Sequence, residues 1–108
     1  MDKTLSEPIV VIYTTAPPGE SENLARELLD RHIVACINIF PVRSLYHWKG
    51  EACDEAEHLL VMKTTRAKAE DVIRAIQELH SNEVPEAVVL PVTAGYLPYL
   101  DWVREQVR

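Results

Sequence analysis

Glycine is nearly absent: the 108-residue chain has three, at Gly19, Gly50 and Gly95. Glycines so far apart exclude both GxGxxG and the P-loop, because each needs several close together to bring backbone N–H groups onto phosphate. Cysteine is as sparse. Cys36 and Cys53 are the only two, too few for a disulfide scaffold and without CxxC spacing. Two free thiols in a reducing cytosol are the expected state. Positive charge is in deficit, with 11 basic against 17 acidic residues and a net charge of −6. Such a surface is repelled by phosphate backbones and anionic lipid, so neither a nucleic acid nor a membrane is an expected partner. No apolar run approaches the ~18 residues of a membrane helix. The opening Met1-Asp2-Lys3-Thr4-Leu5-Ser6-Glu7 has no basic segment followed by an apolar one, so no secretory signal is visible. The expected address is cytoplasmic, with residues 1–7 a flexible tail.

What is present is an ordinary globular balance, 47% apolar and 26% charged. With no repeat, linker or low-complexity segment, residues 1–108 read as one domain. Ile9-Val10-Val11-Ile12-Tyr13 is a β-branched run that predicts a buried strand. Ala16-Pro17-Pro18-Gly19 breaks it, and Ser21 or a neighbour can cap a helix. Leu24, Ala25, Leu28, Leu29 and Ile33 then recur at helical spacing. A β-rich stretch from Ala35 to Trp48 contains Pro41, which predicts a bend or bulge. Lys49-Gly50-Glu51 is the best hairpin turn, since Gly50 can take positive φ. The return strand spans 52–65. Ala69, Val72, Ile73, Ile76 and Leu79 predict a second helix, Val88 to Val92 an edge or bulged strand around Pro91, and Tyr96 to Val107 a short C-terminal helix.

The order β-α-β-β-α-β-α predicts an α+β, ferredoxin-like βαββαβ sandwich with a C-terminal helix. Both long helices would lie on one face of an antiparallel sheet. Continuous apolar strands such as Ile9–Tyr13 and Leu59–Met62 would leave the other face apolar in a monomer, so self-association is predicted.

From Ile9 to Val103 the sequence resembles the CutA family of small divalent-cation-tolerance proteins. The resemblance is carried by Thr14-Thr15-Ala16-Pro17, Val34-Ala35-Cys36-Ile37-Asn38-Ile39, Ser44-Leu45-Tyr46-His47-Trp48-Lys49-Gly50, Glu57 and Met62-Lys63-Thr64-Thr65. It continues through His80, Glu83-Val84-Pro85-Glu86, Leu90-Pro91-Val92, Gly95 and Tyr99-Leu100-Asp101-Trp102. It implies a PII-like homotrimer with a long bent hairpin reaching a neighbour, and a role in metal homeostasis through copper or another divalent cation. It also implies an intersubunit cleft formed by Trp48, Glu57, Lys63, His80, Glu86, Tyr99 and Trp102. The alternatives are a PII-like signalling trimer holding a small molecule in that cleft, or a ligand-free scaffold.

His80 and Cys36 are the candidate metal ligands, imidazole and thiolate both suiting copper. A helix-end His and a small buried strand residue are the structural alternatives. Where copper-binding bacterial relatives carry a thiol and two adjacent histidines, this chain has Thr14, Leu79 and His80. One ligand type of three implies weak binding only. His80-Ser81-Asn82 also departs from the family's His-Pro-Tyr. A turn at Lys49-Gly50 sets facing positions that sum to about 99, which places Cys36 near Lys63 and Cys53 near Tyr46 or His47. His47, Cys53, Asp54 and Glu55 then form a second, incomplete candidate metal set at the hairpin tip. Lys63, in mid-strand, is expected to pair with Glu57 or Glu86. Trp48, Tyr99 and Trp102 read as interface anchors ahead of ligand stackers. Catalysis is not expected, because no nucleophile–base pair or complete metal site can be assembled.

Overall fold

A computed structural model describes residues 7–108. Four strands, β1 (Ile9–Ala16), β2 (Cys36–Trp48), β3 (Glu51–Thr65) and β4 (Val88–Pro91), form one sheet in the order β2-β3-β1-β4. All three pairings are antiparallel. Helix α1 (Ser21–Asp30) joins β1 to β2, α2 (Ala69–Leu79) joins β3 to β4, and α3 (Leu97–Gln106) closes the chain. This is the ferredoxin-like order expected from the sequence, each β-α-β crossover placing its helix on the same face.

Alternation along the strands decides which side chains meet the helices. Val10, Ile12, Leu60 and Met62 point to one face and pack with Leu24, Ala25 and Leu28 of α1 and Val72, Ala75 and Ile76 of α2. Two threonines share that interior without a polar deficit: Thr64 donates to the Ile33 carbonyl and Thr14 to the Glu86 carbonyl, both at 2.6 Å. Helix α1 is reinforced on its exposed side by Glu22–Arg26 and Glu27–Arg31 pairs one turn apart, and α2 carries Glu70 and Asp71 against its N-terminal dipole. Ser21 does not cap α1. His32, at φ 58°, turns the chain out of the helix, so Ile33 enters the core from beyond its end, while Leu29 is exposed.

The hairpin follows from two residues. Lys49 and Gly50 take φ of 49° and 81°, the paired positive values of a tight turn whose twist matches that of the strands. From Trp48↔Glu51 the register runs without a slip to Cys36↔Lys63. The bulge expected at Pro41 is absent, and Pro41 faces His58 in an unbroken ladder. Strand β2 is a sheet edge, where alternate N–H groups have no partner to lose. Pro91 likewise ends β4 on the opposite edge. Val92 lies just past β4 but still donates to the Ile9 carbonyl at 3.1 Å.

The opposite sheet face carries Val11, Tyr13, Phe40, Leu59, Val61, Val88 and Leu90, with Phe40 and Leu90 exposed. Helix α3 covers one end of it, burying Val103 completely. Glu7, placed in the tail by the sequence, accepts from the Ala67 N–H at 3.2 Å and, through its carbonyl, from Arg104 at 2.7 Å. The remainder of the expected tail, residues 1–6, lies outside the described residues.

Candidate functional site

A depression of about 830 Å³ lies between the hairpin and the segment 81–86 that leads from α2 to β4. Two hydrogen bonds fasten that segment to the end of β1. Thr14 holds the Glu86 carbonyl, and His80 Nε2 meets the Thr15 carbonyl at 2.7 Å. His80 Nδ1 accepts the Asn82 N–H at 3.0 Å. A carbonyl only accepts, so Nε2 carries the hydrogen and Nδ1 has its lone pair engaged. The imidazole is a two-ended staple with no nitrogen left for another ligand. Ser81 adds a bond to Glu20 at 2.6 Å, and Lys49 at the hairpin tip reaches Glu83 at 3.5 Å.

Carboxylates dominate this depression. Glu57 on β3 is 8% exposed, lines the cavity, and has no hydrogen bond or ion pair among the described residues. Glu55 accepts the Tyr46 hydroxyl at 2.8 Å, a bond that pushes the Tyr46 phenol up to about 12. Burial, and then the nearby charge of Glu57, push the Glu86 carboxyl above its ordinary value. A carboxyl whose folded value is raised stabilises the fold fully below its unfolded value, near 4.3, and loses that contribution as pH rises through the folded one. Thermal melts should therefore show Glu86→Gln gaining on the unmodified protein as pH climbs above about 4.3. A difference between the two that stays flat with pH would contradict this placement of Glu86.

Of the seven residues expected in one cleft, a single subunit brings together Trp48, Glu57 and Glu86. His80 borders a smaller, neighbouring depression with Glu20, Glu27 and Leu79. Tyr99 and Trp102 stack on α3 at 5.7 Å, and neither they nor Lys63 line the larger depression. Lys63 does not pair with Glu57 or Glu86; its ammonium bonds the Asn38 side chain. Along β3 it lies six residues from Glu57, about 20 Å at the usual rise, beyond the reach of any lysine.

The candidate metal ligands are also apart. Cys36 is level with Val11 and Lys63, and His80 bonds the Thr15 carbonyl, four residues further along β1. Cys53 faces Tyr46, whereas His47 faces Ala52, so His47 and Cys53 point to opposite faces of the hairpin. Asp54 is taken by Arg43 through two bonds of 2.9 and 2.7 Å. Among the described residues no three His, Cys, Asp or Glu side chains converge as a metal would need. Sequence reading missed one pair: Ser21 and His58 meet at 2.6 Å. Ser21 is 2% exposed, so the contact joins α1 to the sheet and no substrate can reach it. Only the distant pairing of an N-terminal helix residue with β3 creates it, and nothing local signals it.

A model of the family described as CutA1 divalent ion tolerance protein matches residues 9–106. The chain is 38% identical to the divalent-cation tolerance protein CutA of Thermus thermophilus over 97 residues, covering 88% of this chain and 94% of that one. It is 34% identical to the chloroplastic protein CutA of Arabidopsis thaliana over 103 residues, covering 94% of this chain but 57% of the relative, so it spans little more than half of that plant protein's length. Its fold superposes on the PII-like protein CutA from Nostoc sp. PCC 7120, solved in apo form, with a TM-score of 0.89 and 42% identity over 92% of this chain and 97% of that one. No helix among the described residues is long and apolar enough to cross a membrane. With the sheet order, the long hairpin and the family match in agreement over nearly every described residue, the chain belongs to the CutA1 family of divalent ion tolerance proteins and has their PII-like fold.

Proposed function

We propose that this protein serves divalent-cation tolerance as a cytoplasmic homotrimer that binds cations, copper or another divalent metal ion among them, in its acidic depression. The observation that carries this reading is Glu57, a residue 8% exposed that lines the cavity with no hydrogen bond or ion pair among the described residues. A carboxylate with little water and no donor is left under-compensated until a positive charge meets it. A cation in the cavity would do so. Oxygen donors spaced too widely to enclose a bare ion suit a hydrated, weakly held one. A tight copper site at His80 and Cys36 is not favoured, since both His80 nitrogens are engaged. The apolar sheet face supports assembly, and two separated free thiols suit a reducing compartment. Binding, not catalysis, is the proposed role. The volume of the cavity and its Tyr46 and Trp48 walls favour a second reading, a PII-like module whose ligand is a small organic molecule.

Native mass spectrometry of the untagged protein with a few equivalents of Cu(I), Cu(II) or Zn(II) tests the metal reading. The expected result is a trimer with a fixed metal count that survives His80→Ala and is lost in Glu57→Gln. A graded ladder of adducts, the same in both variants, would reduce metal uptake to the attraction of an acidic surface and sink the metal reading.

A further inference from the structure

The charges around the cavity do not cancel. Arg43 is committed to Asp54 and Lys49 to Glu83, which leaves Glu55, Glu57 and Glu86 facing the cavity without a cation. Glu57 is more than nine-tenths buried and unpartnered among the described residues. Glu57 keeps little contact with solvent, and its carboxylate oxygens, which are not sealed off, meet no protein donor among the described residues. The space is also far larger than an ion requires: about 830 Å³, against roughly 30 Å³ for one water molecule in the liquid. Its walls include Tyr46 and Trp48, whose faces attract cations and cover methylene groups. At the rim the chain supplies its own example of what fits. The Lys49 ammonium lies 5.6 Å from the centre of the Trp48 ring while reaching Glu83.

We propose that the cavity is a binding site for a small aliphatic di- or polyamine. Its ammonium groups would neutralise Glu57 and one of Glu55 and Glu86, and its methylene stem would lie along Tyr46 and Trp48. The inference rests on the small-molecule reading of this pocket and gives that ligand a chemical class. Size selects against a bare metal ion and the carboxylates against nucleotides and other anions. The aromatic wall favours an organic cation over a hydrated inorganic one, because the latter keeps its water and leaves the rings uncovered.

The test is calorimetric titration of the full chain with spermidine and with 1,4-diaminobutane, at about 0.15 M salt to screen diffuse attraction. Magnesium and zinc chlorides are titrated in parallel. Glu57→Gln removes the buried charge, and Glu70→Gln removes an equal charge from the exposed start of α2. We expect saturable amine binding at one site per chain, weakened roughly ten- to hundredfold by Glu57→Gln and unchanged by Glu70→Gln. Equal weakening by both variants would overturn the proposal in favour of a diffuse counter-ion cloud. Saturable, Glu57-dependent metal binding that spermidine does not displace would overturn the amine and leave the cation-binding function standing. If neither amine nor metal binds and Glu57→Gln only raises thermal stability, the amine proposal and the cation function both fail.

Discussion

Replacing Phe40 and Leu90 together by glutamate should convert the proposed trimer to folded monomers at micromolar concentration. The two residues lie on β2 and β4, the opposite edges of the sheet. Phe40 faces Leu59 and Leu90 faces Val11, so both point away from α1 and α2. They are 48% and 36% exposed in the isolated subunit, and burying that remaining surface in an interface stabilises association by about 0.5–1.5 kcal/mol for each. A carboxylate at either position reverses that contribution, since a charge held against an apolar surface without a partner is costly to desolvate. The effect recurs at every copy of a symmetric interface. Because neither residue belongs to the helix-side core, the far-UV spectrum of the subunit should be unchanged. Sedimentation velocity reads the outcome. A double variant that still sediments as the unmodified assembly would place the interface elsewhere. An unmodified protein that is monomeric and stable at that concentration would remove the trimer itself.

Leu60→Ala should destabilise the protein by about 2–5 kcal/mol, the range for emptying a leucine site in a packed core. Against a typical total of about 5–15 kcal/mol, that is the difference between a robust domain and a marginal one. Leu60 is fully buried and sits on β3 between Ile39 and Thr14. The strands on both sides are fixed by their ladders, so the cavity cannot collapse by a simple shift of backbone. The neighbour matters for function as well as stability, because Thr14 holds the carbonyl of Glu86 at the pocket wall. Urea denaturation at matched protomer concentration measures the loss, since association contributes to apparent stability. A loss under about 1 kcal/mol would mean that the core repacks around the vacancy, contrary to the close packing argued here.

The element order was legible because each element is a local statement. The β-branched run at 9–13, the apolar spacing at 24, 25 and 28, and the same spacing at 69, 72 and 76 each depend on residues within two turns or one strand. The hairpin register was legible for a similar reason. Lys49 and Gly50 set the turn, and an unbroken ladder then places Cys36 opposite Lys63 many residues away. Pro41 makes no bulge because its consequence depends on whether its strand has one neighbour or two, which is a property of the sheet and not of the residue. Ile33 failed because the chain leaves α1 at His32 in a left-handed conformation, and helical spacing alone could not see that exit.

The site was legible as a set of residue types and illegible as an arrangement. The sequence offers Glu57, Lys63, Glu83 and Glu86 as a charged set, yet in the fold Lys63 bonds Asn38 while the three glutamates line the same cavity. Thr14 and His80 could be compared with metal ligands in a sequence, but their roles are decided by what stands within hydrogen-bond reach. One holds the Glu86 carbonyl and the other joins the Thr15 carbonyl to the Asn82 N–H. By itself the sequence determined the architecture, the turn, the register and the family, because these depend on periodicity and order along the chain. Only the tertiary structure decided which carboxylates converge, which imidazole nitrogens are spent and which aromatic rings line the cavity. Those outcomes depend on distances between residues far apart in sequence, and on how much water burial leaves to each of them.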